Sequence, residues 1–155
     1  MVTARPPWEW AIPVLSIVFV VALILRFGAG LPNPMATSWS PDGTPLESNG
    51  RVAELVGGTA ITAAGAGAPV VAGTRARSGA TARGLVAAGH VLGVLFAGHR
   101  WRVITANADA ASWPEASSTV SATPVFALAV VAGIVGWLVS IHLGARDGPG
   151  PNRLG

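Results

Sequence analysis

In a chain with no cysteine, chemistry has to come from histidines, carboxylates and hydroxyls, because disulfides, thiol nucleophiles and thiolate metal sites are all excluded. His90 is the first candidate. It stands inside an apolar stretch, GLVAAGHVLGVLFAG, and an ionisable group at that depth either serves a water-filled path or is a neutral imidazole bonded to a threonine or backbone carbonyl of a neighbouring helix. The second reading is the simpler one. Glu54 lies near the start of another apolar stretch. Pairing with Arg51 or with Arg26 accounts for it more simply than proton or cation transfer. His99 and His142 fall towards opposite ends of their segments, so the three histidines do not converge on a metal. Asp42, Glu47, Asp109 and Glu115 are divided between two polar loops. There they are expected to be solvated rather than to share a divalent cation. No nucleophile elbow, phosphate loop, HExxH pair or EF-hand loop occurs. The chain is therefore expected to be non-enzymatic, without catalytic residues, cofactor or metal.

The elements that would position these residues are apolar. Of the 155 residues 51% are hydrophobic and 11% charged, and the mean hydropathy is +0.55, which is wrong for a soluble domain. All ten basic residues are arginine. They are scattered, without the dense run that phosphate-backbone binding requires, so nucleic acid is not an expected partner. Four segments approach the ~20 residues needed to cross a bilayer, at 11–30, 52–73, 84–104 and 124–143. The third is the weakest, reaching that length only if the helix continues through His99–Ile104. A signal peptide is the rival reading of the first segment, disfavoured by its length and by Arg26 near its end. Small residues mark faces for close helix packing: Ala60, Ala64 and Ala68, with Thr59, Ala63 and Gly67 beside them; Gly89, Gly93 and Ala97; and Ala129, Gly133 and Trp137. The expected fold is an all-α membrane protein of four transmembrane helices. A tail at 1–10 precedes them, and the connecting loops are 31–51, 74–83 and 105–123. A disordered tail, 144–155, ends the chain.

The loop after the first helix, LPNPMATSWSPDGTPLESNG at 31–50, holds four prolines and reads as a turn-rich connector that no helix crosses. Pro41, Asp42 and Gly43 follow the order that a tight turn prefers. Trp39 suits a headgroup layer. The order Leu31, Pro32, Ala36, Thr37, Trp39, Gly43, Pro45 resembles the signature loop of the DUF1648 membrane proteins, which follows a first transmembrane helix in that family. Asn33 stands where the family usually has Asp, Ser38 where it has His, and Leu46 with Glu47 where it has Asp. With Ser38 the loop can hydrogen-bond but has no imidazole for a metal or a proton. A second likeness, to high-GC bacterial members, lies at Asn107, Asp109, Trp113 and Ala116.

Arg5, Arg75, Arg77, Arg83, Arg146 and Arg153 fall on one side of such a bundle, and Arg51, Arg100 and Arg102 on the other. The excess places both termini in the cytoplasm of a multi-pass cell-membrane protein, with loop 31–51 outside. The DUF1648 resemblance implies an envelope-stress, immunity or regulatory role exercised through Pro32, Trp39, Asp42, Gly43 and Pro45, towards an extracellular partner. The alternatives are an accessory subunit whose Gly89 and Gly93 face packs in a larger membrane complex, and a small transporter using Glu54 and His90. The lipid bilayer is the partner common to all three.

Overall fold

The computed structural model describes residues 7–76, 78–118 and 123–144. The segments 1–6, 119–122 and 145–155, and Arg77, lie outside the described residues, so the expectations placed on Arg5, Arg77, Arg146, Arg153 and the C-terminal tail are not addressed. A 3₁₀ turn at Pro7–Trp10 leads into α1 (Ala11–Phe27). A second turn, Gly28–Gly30, leads to β1 (Met35–Trp39) and β2 (Pro45–Asn49). Then come α2 (Arg51–Arg75), α3 (Gly79–Asn107), a 3₁₀ turn at Trp113–Glu115 and α4 (Thr123–Gly144). The described residues are mostly helical, and among them four helices are long and apolar enough to cross a membrane, the first when α1 is taken with its flanking turns as Trp8–Gly30.

Two features differ from the sequence-based picture. The first is that 31–51 is not an irregular connector. It forms an antiparallel hairpin in which Met35 faces Asn49, Ala36 faces Ser48, Ser38 faces Glu47 and Trp39 faces Pro45, with bulges between. The prolines do not oppose this. Pro45 opens a strand, where a missing N–H is tolerated. The turn is closed by Gly43 N–H donating to Ser40 O and Ser40 N–H donating to Thr44 O, each at 2.9 Å. Gly43 has φ +88°, the left-handed value that a three-residue hairpin loop needs at this position.

The second concerns α3, expected to be the weakest span and confined to 84–104. It is the longest helix, at 29 residues. Ser78 caps its start, its hydroxyl accepting from Thr81 N–H at 3.0 Å. Every other helix packs on it. Among the described residues, large exposed apolar side chains crowd α1 and α4 and recur on α2, with Val18, Leu25, Val56, Phe126 and Ile134 as examples, and α3 contributes none. α3 is the axis of the bundle.

Helix approach is set by small residues, though not on all the faces expected. Gly89 and Gly93 do line the α3 seam. A Cβ on Gly89 would lie 2.7 Å from Ala66 O of α2, and one on Gly93 would lie 2.9 Å from Ser16 Oγ of α1. On α2 the buried row is Gly58, Thr62, Ala66, Val70 and Gly73. Ala60, Ala64 and Ala68 are exposed instead. This helix is small-sided almost all round, so size alone does not choose a face. On α4 the buried row is Ala129, Gly133, Gly136 and Ser140, whereas Trp137 is 38% exposed with the Arg83 guanidinium 6.0 Å from its ring.

Candidate functional site

The hairpin sits on the far end of α3 over a small apolar core of Leu31, Met35, Val103 and Ile104, against which Phe27, Trp39 and Leu55 pack. Its fastening is polar and comes from residues far away in sequence. Asn107, fully buried in the last turn of α3, accepts from Ala36 N–H at 2.9 Å and donates to Ala36 O at 2.9 Å and to Val103 O at 2.8 Å. The side-chain amide thus pairs with one residue of β1 much as a third strand would, and closes that edge of the hairpin. Trp39 Nε1 donates to Ala116 O at 3.1 Å. Its ring carries the Arg102 guanidinium at 5.6 Å, and Arg102 Nε donates to Ser118 Oγ at 2.7 Å. Gly43 abuts the same segment, where a Cβ would lie 3.1 Å from Ser118 O.

The hairpin is also tied to the start of α2. Asn33 Oδ1 accepts from Arg51 N–H at 2.9 Å, so it satisfies one of the free donors at this helix end. Arg51 Nη1 donates to Leu31 O at 2.8 Å. Pro32 is buried between these contacts. Asp42 is exposed in the turn. Its carboxylate accepts from the Ser40 hydroxyl and from Thr44 N–H, and these two bonds, the hydroxyl first, hold its pKa below the ordinary carboxylate value. Ser38, at the position where the resembled family has histidine, donates to Glu47 Oε2 at 3.2 Å.

Glu54 pairs with neither Arg51 nor Arg26. Its carboxylate meets Arg100 of α3, and Arg100 Nη1 also donates to Glu54 O at 3.2 Å. Both side chains are nearly buried, at 11% and 12% exposure. The guanidinium lies over Gly58, one turn along α2, where any side chain would displace it. Arg26 turns instead to its neighbour, with its guanidinium 5.0 Å from the Phe27 ring. His90 is buried, and its Nε2 is 3.1 Å from Glu9 O in the turn before α1. The Trp8 ring meets it edge-on at 6.2 Å, and the missing side chain of Gly136 makes room for the imidazole. The carbonyl beside His90 thus comes from the opening turn and not from a neighbouring helix.

Of the residues singled out by sequence, Pro32, Trp39, Gly43 and Pro45 are brought together in the clamp, with Asp42 in its turn. Glu54 touches the hairpin through Asn49, whose Nδ2 donates to Glu54 Oε2 at 3.5 Å. His90, Gly89 and Gly93 lie elsewhere in the bundle. Sequence reasoning missed the clamp's central residue: Asn107 stands out there only in a likeness. Its signal was a carboxamide four residues beyond Val103 at the end of an apolar helix, where a buried polar side chain requires partners. Asp109 and Glu115 line a pocket of about 260 Å³ with Thr105 and Ser117. Among the described residues no three histidines, cysteines or acids gather where they could hold a metal. An apolar groove of about 430 Å³ runs between α1 and α4, floored by Val94, Ala97 and Trp101 of α3. No family model matches the chain, and no curated protein or solved structure does.

Proposed function

We propose that the protein is a non-enzymatic, multi-pass membrane protein whose fastened hairpin is an exterior recognition cap, with both termini in the cytoplasm. The clamp on the hairpin is the observation that carries this reading. A two-stranded ribbon is marginal on its own, yet this one is held by Asn107, Trp39, Arg102 and Arg51 to three other parts of the chain. A surface held so firmly is ready to bind a partner without first being ordered.

Helix length supports the placement. Twenty-nine residues at 1.5 Å each give α3 about 44 Å, roughly 14 Å more than a hydrocarbon layer of ~30 Å. That excess equals about nine residues, and the last nine of α3 run from His99 to Asn107, where Arg100, Arg102 and Asn107 stand. The exposed apolar side chains of α1, α2 and α4 then face lipid. Kinship with the DUF1648 proteins belongs to the same proposal, since Pro32, Trp39, Gly43 and Pro45, four of the seven shared positions, are residues that turn and dock the hairpin. An envelope-stress, immunity or regulatory role follows from that kinship.

An accessory-subunit reading is favoured by one observation. The row Val52, Val56, Ala60, Ala64, Ala68 on α2 is exposed, although the bundle is already packed, and another helix could approach closely there. A transporter reading finds less support, because Glu54 and His90 each have a partner within the fold.

The absence of native cysteine makes the test direct. A membrane-impermeant maleimide should label Leu46→Cys in intact cells, and should reach Ser78→Cys, between α2 and α3, only after permeabilisation. The opposite pattern overturns the cap reading. A partner that co-purifies in mild detergent and is lost on Trp39→Ala supports recognition, whereas loss only on replacing Ala60, Ala64 and Ala68 by leucine supports the accessory subunit.

A further inference from the structure

We infer that the outer edge of β2 receives an extended cationic polypeptide segment as a third strand, a conclusion that rests on reading the hairpin as an exterior cap. The two edges of the hairpin are unlike. Ala36 turns its N–H and C=O to Asn107, away from β2, so its pair with Ser48 is one that exchanges no ladder hydrogen bonds. In such a pair both residues point their backbone groups outward. The Ser48 N–H and C=O therefore face away from β1, on the edge that Asn107 does not close. β2 is exposed over residues 46–49, and Leu46 is 61% exposed beside that edge. Main-chain bonds to Ser48 and an apolar contact at Leu46 are what an added strand uses.

Charge selects the occupant. Asp42 in the turn and Glu47 on β2 are exposed, as are Asp109 and Glu115 in the neighbouring segment, whose 3₁₀ turn Trp113–Glu115 packs against β2. The cations of this end have partners within the fold: Arg51 on Leu31 O, Arg100 on Glu54, Arg102 on Ser118 and over Trp39, and Arg26 over Phe27. The rim of the edge is thus anionic. A second copy pairing β2 with β2 brings Glu47 towards Glu47, and Pro45 has no N–H to offer it. Lysine or arginine at alternate positions of a foreign strand meets neither obstacle.

The test uses the full chain in phosphatidylcholine nanodiscs and three octapeptides: alternating Lys and Val, alternating Glu and Val, and the Lys/Val peptide N-methylated at alternate backbone nitrogens. The Lys/Val peptide should bind and slow amide exchange at Ser48 by at least about tenfold. Its affinity should fall by about tenfold or more on N-methylation, and equally in the Glu47→Lys, Glu115→Lys double variant, whose helix content by circular dichroism should be unchanged. Equal binding of the Glu/Val peptide overturns the inference. So does Lys/Val binding that leaves Ser48 exchange untouched, and so does a Leu46→Cys disulfide dimer formed without peptide, which puts a second copy on the edge. If no peptide binds while Leu46→Cys is still labelled from outside, the partner chemistry falls and the cap reading stands. If Leu46→Cys is not labelled from outside, the cap reading itself falls.

Discussion

Replacing Asn107 by leucine removes the central fastening of the hairpin while changing side-chain volume little. The structure sets the size of the effect. Ala36 is fully buried, and its N–H and C=O have Asn107 as their partner. Val103 O keeps the helix's own N–H donor and loses only an additional bond. Two backbone groups are then orphaned at about 1–3 kcal/mol each, or about 2–6 kcal/mol together. Because α3 and its seams stay intact, the penalty falls on hairpin docking rather than on the bundle. A shift of that size multiplies the undocked population by a factor from about 30 to on the order of 10⁴.

Hydrogen exchange followed by mass spectrometry on the chain in nanodiscs reads this directly. Peptides covering residues 31–50 should exchange faster by such a factor in Asn107→Leu, while peptides from the middle of α2 should be unchanged. Asn107→Asp keeps an acceptor for Ala36 N–H but loses the donor to Ala36 O and buries a carboxylate, so its hairpin should open at least as far. An increase of less than about threefold over residues 31–50 in Asn107→Leu refutes the clamp. Equal acceleration in α2 refutes the claim that the effect is local.

Three further outcomes follow from the same geometry. Arg100→Leu strands a nearly buried Glu54 carboxylate and should destabilise the α2–α3 contact by up to about 3–5 kcal/mol, whereas the double variant Glu54→Leu, Arg100→Leu should recover most of this. A thermal-stability double-mutant cycle in detergent checks it, and additive losses argue against a direct pair. Gly89→Ala should be worse than Gly93→Ala by about 1–3 kcal/mol, because the new methyl meets the Ala66 carbonyl at 2.7 Å in the first case and a rotatable Ser16 hydroxyl at 2.9 Å in the second. Melting temperatures of the two variants decide that order. The Asp42 pKa is lowered in the folded turn, so its support is fully present above the unfolded carboxylate value and is lost as pH falls through the folded one. Thr44 amide exchange, corrected for its intrinsic pH dependence, should quicken at the acid end in the native chain, and Asp42→Asn should remove that dependence.

The four long apolar helices are legible in the sequence because a run of apolar residues long enough to cross a bilayer announces a helix with little help from tertiary context. The turn at Pro41, Asp42 and Gly43 is legible too, since Pro fixes its own φ, Asp bonds the turn backbone and Gly accepts the left-handed φ. The strands that flank it are not. Residues 35–39 and 45–49 are too short and too polar to declare a ribbon, and what settles their pairing is an amide 71 residues from Ala36. Glu54 is similar: Arg51 and Arg26 are nearer in sequence, yet the fold delivers Arg100, 46 residues on. The packing face of α2 escapes for the opposite reason, because small residues occur on every side of the helix and carry no direction.

One pattern connects these misses. His99, Arg100, Arg102 and Asn107 make the third span look truncated, since charged and amide groups usually mark the end of a membrane helix. The helix continues through them because three find partners that only the hairpin, α2 and the 108–118 segment supply: Glu54 for Arg100, Ser118 and Trp39 for Arg102, Ala36 for Asn107. The same residues that interrupt the apolar run of α3 therefore lengthen it as a pillar and attach the hairpin. The coupling has a consequence that a mere loop would lack. Anything that pulls the hairpin outward acts on Ala36 and Trp39, and through Asn107 and Arg102 on the last two turns of α3, the helix on which α1, α2 and α4 all pack. The hairpin is in this way joined mechanically to the axis of the bundle.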